Sequence, residues 1–155
     1  ALKNALEKTL FSTAKENVRP SLAGVYVRFD ENSIAFASTD SYRLTEYKIP
    51  MSVAEDMSGK HTIIPDRSAH EVLKSLKDDK GETILAIGDG SMSATIGNTV
   101  VTSRLIQGKF PDYTNFFPKS FSTKVVASRN ELISGLRRIQ LIARENNHVR
   151  IFLIN

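Results

Sequence analysis

A chain of 155 residues, 41% hydrophobic and 25% charged, has the balance of a soluble globular protein and room for one full domain plus part of another. Its zero cysteines exclude disulfides, thiolate metal sites and cysteine nucleophiles, and no apolar run approaches the roughly 18–20 residues that a membrane-spanning helix needs. The net charge of +4 points to a polyanionic partner only where the cations are grouped, so their placement has to decide. The N-terminus has no signal-peptide layout, and Ala1 falls inside a helical pattern without a Met, which reads as a piece of a longer protein.

Leu2, Leu6, Leu10 and Ala14 recur every four residues, predicting an amphipathic helix over about 1–15 that Asn17 and Pro20 end. Residues 25–29 and 34–37 flank Asp30-Glu31-Asn32-Ser33, a strand–turn–strand signal. A third strand is expected over 43–49, closed by Pro50. A short one over 61–64 leads into a second helix at about 66–78, with Ala69, Val72, Leu73 and Leu76 as its apolar face. Strands near 83–87, 91–96 and 99–106 follow, the last two joined by Gly97-Asn98, residues that tolerate positive φ in a two-residue hairpin turn. Gly108, Pro111-Asp112 and Pro118 then punctuate a connector. Beyond it the pattern predicts a strand over 124–127, a helix over about 129–145 and a strand over 149–154. The fold class is therefore α+β.

The helices carry their cations away from their apolar faces. Arg67, His70, Lys74 and Lys77 are spaced i, i+3, i+7, i+10 and fall within about 80° of one another on a helical wheel. Lys8 and Lys15 are seven apart on the first helix, beside Asn4 and Ser12, and Arg137 and Arg144 repeat the arrangement with Asn130 on the third. Three such stripes fit contacts to phosphates, which position a protein on a duplex without reading bases, although Asp66 and Glu7 weaken the field. Leu141 and Ile142 fall outside the third helix's stripe of Leu132, Leu136, Ile139 and Ala143, so they meet either another part of the domain or another subunit. An internal echo links the halves: Leu2-x3-Leu6 leads to Ala14-Lys15-Glu16-Asn17, and Leu132-x3-Leu136 leads to Ala143-Arg144-Glu145-Asn146.

The run Ser103-Arg104-Leu105-Ile106-Gln107-Gly108-Lys109-Phe110-Pro111-Asp112-Tyr113 resembles the linker between the second and third domains of the bacterial DNA polymerase III beta sliding-clamp family. Upstream, Thr39-Asp40-Ser41-Tyr42-Arg43-Leu44 resembles that family's TDGHRL segment. The resemblance implies a DNA-clamp fold, with antiparallel sheets outside and two helices per domain on the inner face. Residues 1–118 would be the second domain, lacking its first strand, and 119–155 the opening strand–helix–strand of the third. It implies a cytoplasmic, non-enzymatic processivity factor that encircles duplex DNA as a homodimeric ring, without metal or cofactor. The DNA-facing residues would be Lys8, Lys15, Arg67, His70, Lys74, Lys77, Arg137 and Arg144, and Leu141 and Ile142 would close the ring.

Matched residue by residue, the family's pocket for peptides of polymerases and clamp loaders keeps Leu22, Thr39, Arg43, Leu44 and Pro111. Leu, Thr methyl, Arg stem and Pro walls suit apolar anchors of an extended peptide. Ser41 and Tyr42 replace the Gly-His of the motif, and Asn115 and Phe116 stand where Arg and Val are common.

Against this stands a plain α+β interaction module whose basic helices face solvent. A hydrolase is disfavoured. The chain has no GxxxxGK[ST], GxGxxG or HExxH motif, and His61, His70 and His148 are scattered. Asp40 and Asp112 sit in turns, where the carboxylate is expected to bind nearby backbone N–H groups. Phe110, Tyr113, Phe116 and Phe117 are expected to pack the connector between two domains.

Overall fold

The computed structural model describes residues 1–15, 19–76, 81–143 and 149–152, in two compact units, Ala1–Thr114 and Asn115–Asn155. In the first, α1 (Leu2–Thr9) passes through 3-10 turns at Leu10–Ser12 and Pro20–Leu22 into β1 (Gly24–Asp30), β2 (Ser33–Thr39), β3 (Leu44–Pro50) and β4 (His61–Pro65). Next come α2 (Asp66–Ser75), β5 (Thr83–Gly88), β6 (Ser91–Ile96) and β7 (Thr99–Arg104). Sheet A has the order β3-β2-β1-β4 and sheet B the order β5-β6-β7, with every pair antiparallel.

The period-2 alternation of β1 decides which way sheet A faces. Val25, Val27 and Phe29 point into a core with Ala5, Leu6 and Leu10 of α1, Ala69 and Val72 of α2, and Met92, Ala94 and Ile96 of β6. Tyr26, Arg28 and Asp30 point the opposite way. In the middle of sheet A, β2 is buried from Ala35 to Thr39 on both faces. The far face has a cover of its own: Ala37, Ile63 and Leu22 form a second cluster with Phe110 and Tyr113 of the connector. Gly24 is fixed by proximity, since a Cβ there would stand 2.3 Å from the carbonyl oxygen of Ile64.

Two expectations shift by a few residues for visible reasons. The first helix ends at Thr9 rather than near residue 15, because the buried Ser38 hydroxyl donates to the Thr9 carbonyl and the Thr9 hydroxyl to the Ala5 carbonyl. The 97–98 turn needs a left-handed angle only at Gly97, at φ 53°.

The second unit departs further. It contains α3 (Arg129–Gln140), which opens on Ser128, whose hydroxyl accepts from the Glu131 N–H at 3.5 Å. The strand expected over 124–127 is not formed, and Val125 and Val126 are exposed. Residues 149–152 are not in a strand either, while 153–155 lie outside the described residues. An isolated extended segment has no ladder to satisfy its backbone, so apolar content alone does not make it a strand. The echo of helix followed by strand is thus present in its first copy, and only the helix of its second is seen.

Candidate functional site

The cationic face of α2 follows from its packing. Ala69, Val72 and Leu76 are buried, which leaves Arg67, His70 and Lys74 exposed on the other side. The acidic neighbour is engaged: Asp66 Oδ1 accepts from Thr13 Oγ1 at 2.6 Å, and its Oδ2 lies 3.3 Å from His70 Nδ1. That bond also ties the exit of α1 to the start of α2. Lys8 and Lys15 are exposed on the first segment, and Arg137 is exposed on α3. Lys77 and Arg144 lie outside the described residues.

The five residues matched to a peptide pocket are positioned by the β2–β3 connection and the connector. Thr39, the last residue of β2, is buried and pairs across the ladder with Leu44. Its hydroxyl donates to the Arg43 carbonyl at 2.7 Å and accepts from the Ser41 N–H at 3.1 Å. Asp40 Oδ1 accepts from the N–H groups of Tyr42 and Arg43, both at 3.0 Å, and Oδ2 from Arg43 Nε at 3.0 Å. Burial opposes ionisation of Asp40, but these N–H donors and the guanidinium outweigh it and hold the carboxyl below the usual aspartate range. The turn therefore binds its own acid, as expected, and Asp112 does the same with the Thr114 hydroxyl and N–H.

Ser41 has φ 79°, a left-handed angle that costs a non-glycine residue roughly 1–2 kcal/mol. Glycine suits that angle, and here the bonds around Asp40 and Thr39 hold serine in it. Tyr42 beside it is 98% exposed.

Leu22 is buried in the second cluster, with Leu44 packed against it. Pro111 is half-buried between Phe110 and Tyr113, two buried rings of that cluster. Arg43 reaches elsewhere: its guanidinium stands over the exposed Phe11 ring, 5.7 Å from the centroid. Leu22, Leu44 and the flanks of Pro111 thus meet in one apolar cluster, Thr39 supports the turn from below, and Arg43 forms a separate rim with Phe11.

Phe110 and Tyr113, expected to pack the connector, pack on the first unit's own sheet. Phe116 and Phe117 are exposed. Phe11, Tyr26, Glu46 and Tyr113 were not read as site residues from the sequence. A signal was present: Tyr26, Ala37 and Glu46 share the far face of three paired strands, where an aromatic residue among charges calls for a cover.

On α3, the stripe expected to be packed is not buried. Leu132, Leu136 and Ile139 are 48%, 40% and 43% exposed, and the described residues of their own unit form no strand to cover them. Leu141 and Ile142 are more exposed still, at 67% and 88%, and lie just past the helix end. Among the described residues, no three His, Asp or Glu side chains are grouped to hold a metal ion, and no helix is long and apolar enough to cross a membrane.

Residues 1–112 match the central domain of the DNA polymerase III beta subunit. The beta sliding clamp of Bacillus subtilis is 30% identical over 152 residues, covering 97% of this chain and 40% of that protein. The Staphylococcus aureus beta sliding clamp is 31% identical over 153 residues, with the same coverage. Among solved structures, the B. subtilis sliding clamp superposes with a TM-score of 0.85 at 29% identity, over 94% of this chain and 38% of that one. A Pseudomonas aeruginosa sliding clamp bound to griselimycin superposes with a TM-score of 0.83 at 26% identity, over 90% and 38%. The chain spans about 40% of the length of these relatives. By sequence match and by fold, the chain belongs to the DNA polymerase III beta-subunit family, the bacterial sliding clamps.

Proposed function

We propose that this chain forms the second domain, residues 1–118, and the opening of the third, residues 119–155, of a ring that encircles duplex DNA and tethers the replicative polymerase. The observation that carries this reading is the exposed Arg67, His70 and Lys74 face of α2, opposite its buried apolar side, in a chain of this family. Such a face supplies phosphate contacts without sequence preference. Lys8, Lys15 and Arg137 join it in the proposal, and Lys77 and Arg144 are added from spacing. Tethering by topology makes and breaks no bond, so neither a catalytic residue nor a cofactor is assigned. Leu22, Thr39, Arg43, Leu44 and Pro111 are proposed to receive short peptides of the polymerase and the clamp loader, and Leu141 and Ile142 to close the dimer.

The test uses the full-length protein loaded onto nicked circular DNA. Arg67→Glu with Lys74→Glu should shorten residence at least about tenfold at low salt and flatten the salt dependence, since each lost phosphate contact removes about one from the slope. Unchanged residence would favour the rival reading, an interaction module whose basic helices merely face solvent.

A further inference from the structure

The far face of sheet A carries a latch that the proposed function does not use. Phe110 stacks on Tyr26 with ring centroids 4.7 Å apart and planes 15° from parallel. Tyr113 meets both rings edge-on, each at 6.0 Å. Its hydroxyl donates to Glu46 Oε1 at 2.8 Å, and the Arg28 guanidinium stands over its ring at 5.9 Å. Each charged member is itself held: Glu46 lies 3.4 Å from Lys48 Nζ, and Arg28 Nε lies 2.9 Å from Asp30. The two rings are 6% and 2% exposed, unlike the half-buried Pro111 between them.

A connector this rich in Gly and Pro would ordinarily be free to move, and ordering it would be charged against any ligand that touched it. Here the cost is met in advance by two seated rings and a hydrogen bond to a carboxylate, among the stronger neutral-to-charged kinds. Leu22 and Leu44 belong to the same cluster as the rings.

We infer that Tyr113, fastened to Glu46, is a positioning residue for peptide docking: it keeps Pro111 in one place relative to Leu22 and Leu44. This rests on the peptide pocket proposed above. The role differs from plain core packing because the hydroxyl is needed in addition to the ring. Tyr113→Phe keeps the ring and removes only the bond, and Glu46→Leu removes the acceptor.

The experiment measures binding of a fluorescein-labelled peptide carrying the clamp-binding segment of the same organism's replicative polymerase to the full-length protein. Tyr113→Phe and Glu46→Leu should each raise Kd about tenfold or more, the lower end of the worth of one such bond. The double variant should be no weaker than either single, because both remove the same bond. Glu46→Gln, which keeps a carbonyl acceptor, should restore most of the affinity. Leu44→Trp serves as the control for the pocket itself. If Leu44→Trp abolishes binding while Tyr113→Phe and Glu46→Leu leave Kd within twofold, the latch is refuted and the pocket stands. Additive losses in the double variant would also refute it. If Leu44→Trp binds normally, the pocket assignment fails first.

Discussion

Helices α2 and α3 carry the same apolar-and-basic pattern and meet different fates. α2 has no side-chain cap at Pro65, yet it buries Ala69 and Val72 against β1, β4 and β7. α3 has the better local signals, a Ser128 cap with Glu131 in its first turn and Arg137 and Arg138 in its last, yet none of its residues is fully buried. Local chemistry is enough to draw a helix; an amphipathic face becomes a core only where a sheet lies under it. The same contrast separates β1, held between two neighbours, from the unpaired 124–127 segment.

The largest test of that contrast is a pair of truncations in this chain. Leu6→Ala, at a fully buried site, should cost about 2–5 kcal/mol in urea denaturation, and Leu136→Ala, at a 40% exposed one, less than about 0.5 kcal/mol. Comparable losses would mean that α3 is as well packed as α1. A second test asks what α3's end is for. In the full-length protein, Leu141→Ala with Ile142→Ala should convert a sedimenting dimer into monomers that stay folded, because burying those side chains is proposed to close the ring. A dimer that persists at micromolar concentration would assign the pair to packing within a subunit.

The smallest expected effect lies in the first unit, at the Asp40 turn. Because the folded state lowers the Asp40 pKa, the turn's contribution is fully present above the unfolded value of about 3.9. It is lost as the pH falls through the lower, folded value. Acid should therefore loosen residues 39–44 only below about pH 4. Amide chemical shifts of Tyr42 and Arg43 should follow that titration in the native chain and stay flat in Asp40→Asn, and movement near neutrality would contradict the assignment.

Much of this was legible in the residues. Alternation at 25–29 and 34–37 located the central hairpin, and the i, i+3, i+7 spacing of Arg67, His70 and Lys74 located the cationic face of α2. Long-range capture was not legible. Nothing near Thr9 announces that Ser38, 29 residues away, will take its carbonyl. Nothing in the connector says that Tyr113 will find Glu46, 67 residues upstream. For Phe110 and Tyr113 a linear pattern marks packing residues but does not show that sheet A lies underneath them. The 124–127 segment failed in the opposite direction: its residues favour a strand, but a strand is a property of pairs.

The stretch from Leu105 to Tyr113 runs toward the end of the first unit, and segments near such an end are usually where a protein tolerates changes of length. This one is pinned along its course: the Leu105 N–H donates to Gly90, the Ile106 N–H donates to Ile63, and Phe110 and Tyr113 are seated on Tyr26. Inserting or deleting a single residue between Ile106 and Phe110 would throw those anchors out of step, much as a slipped register turns a strand inside out. The segment is a connector by composition and a ruler by construction, and any drift in its length would be felt by the sheet on which it lies.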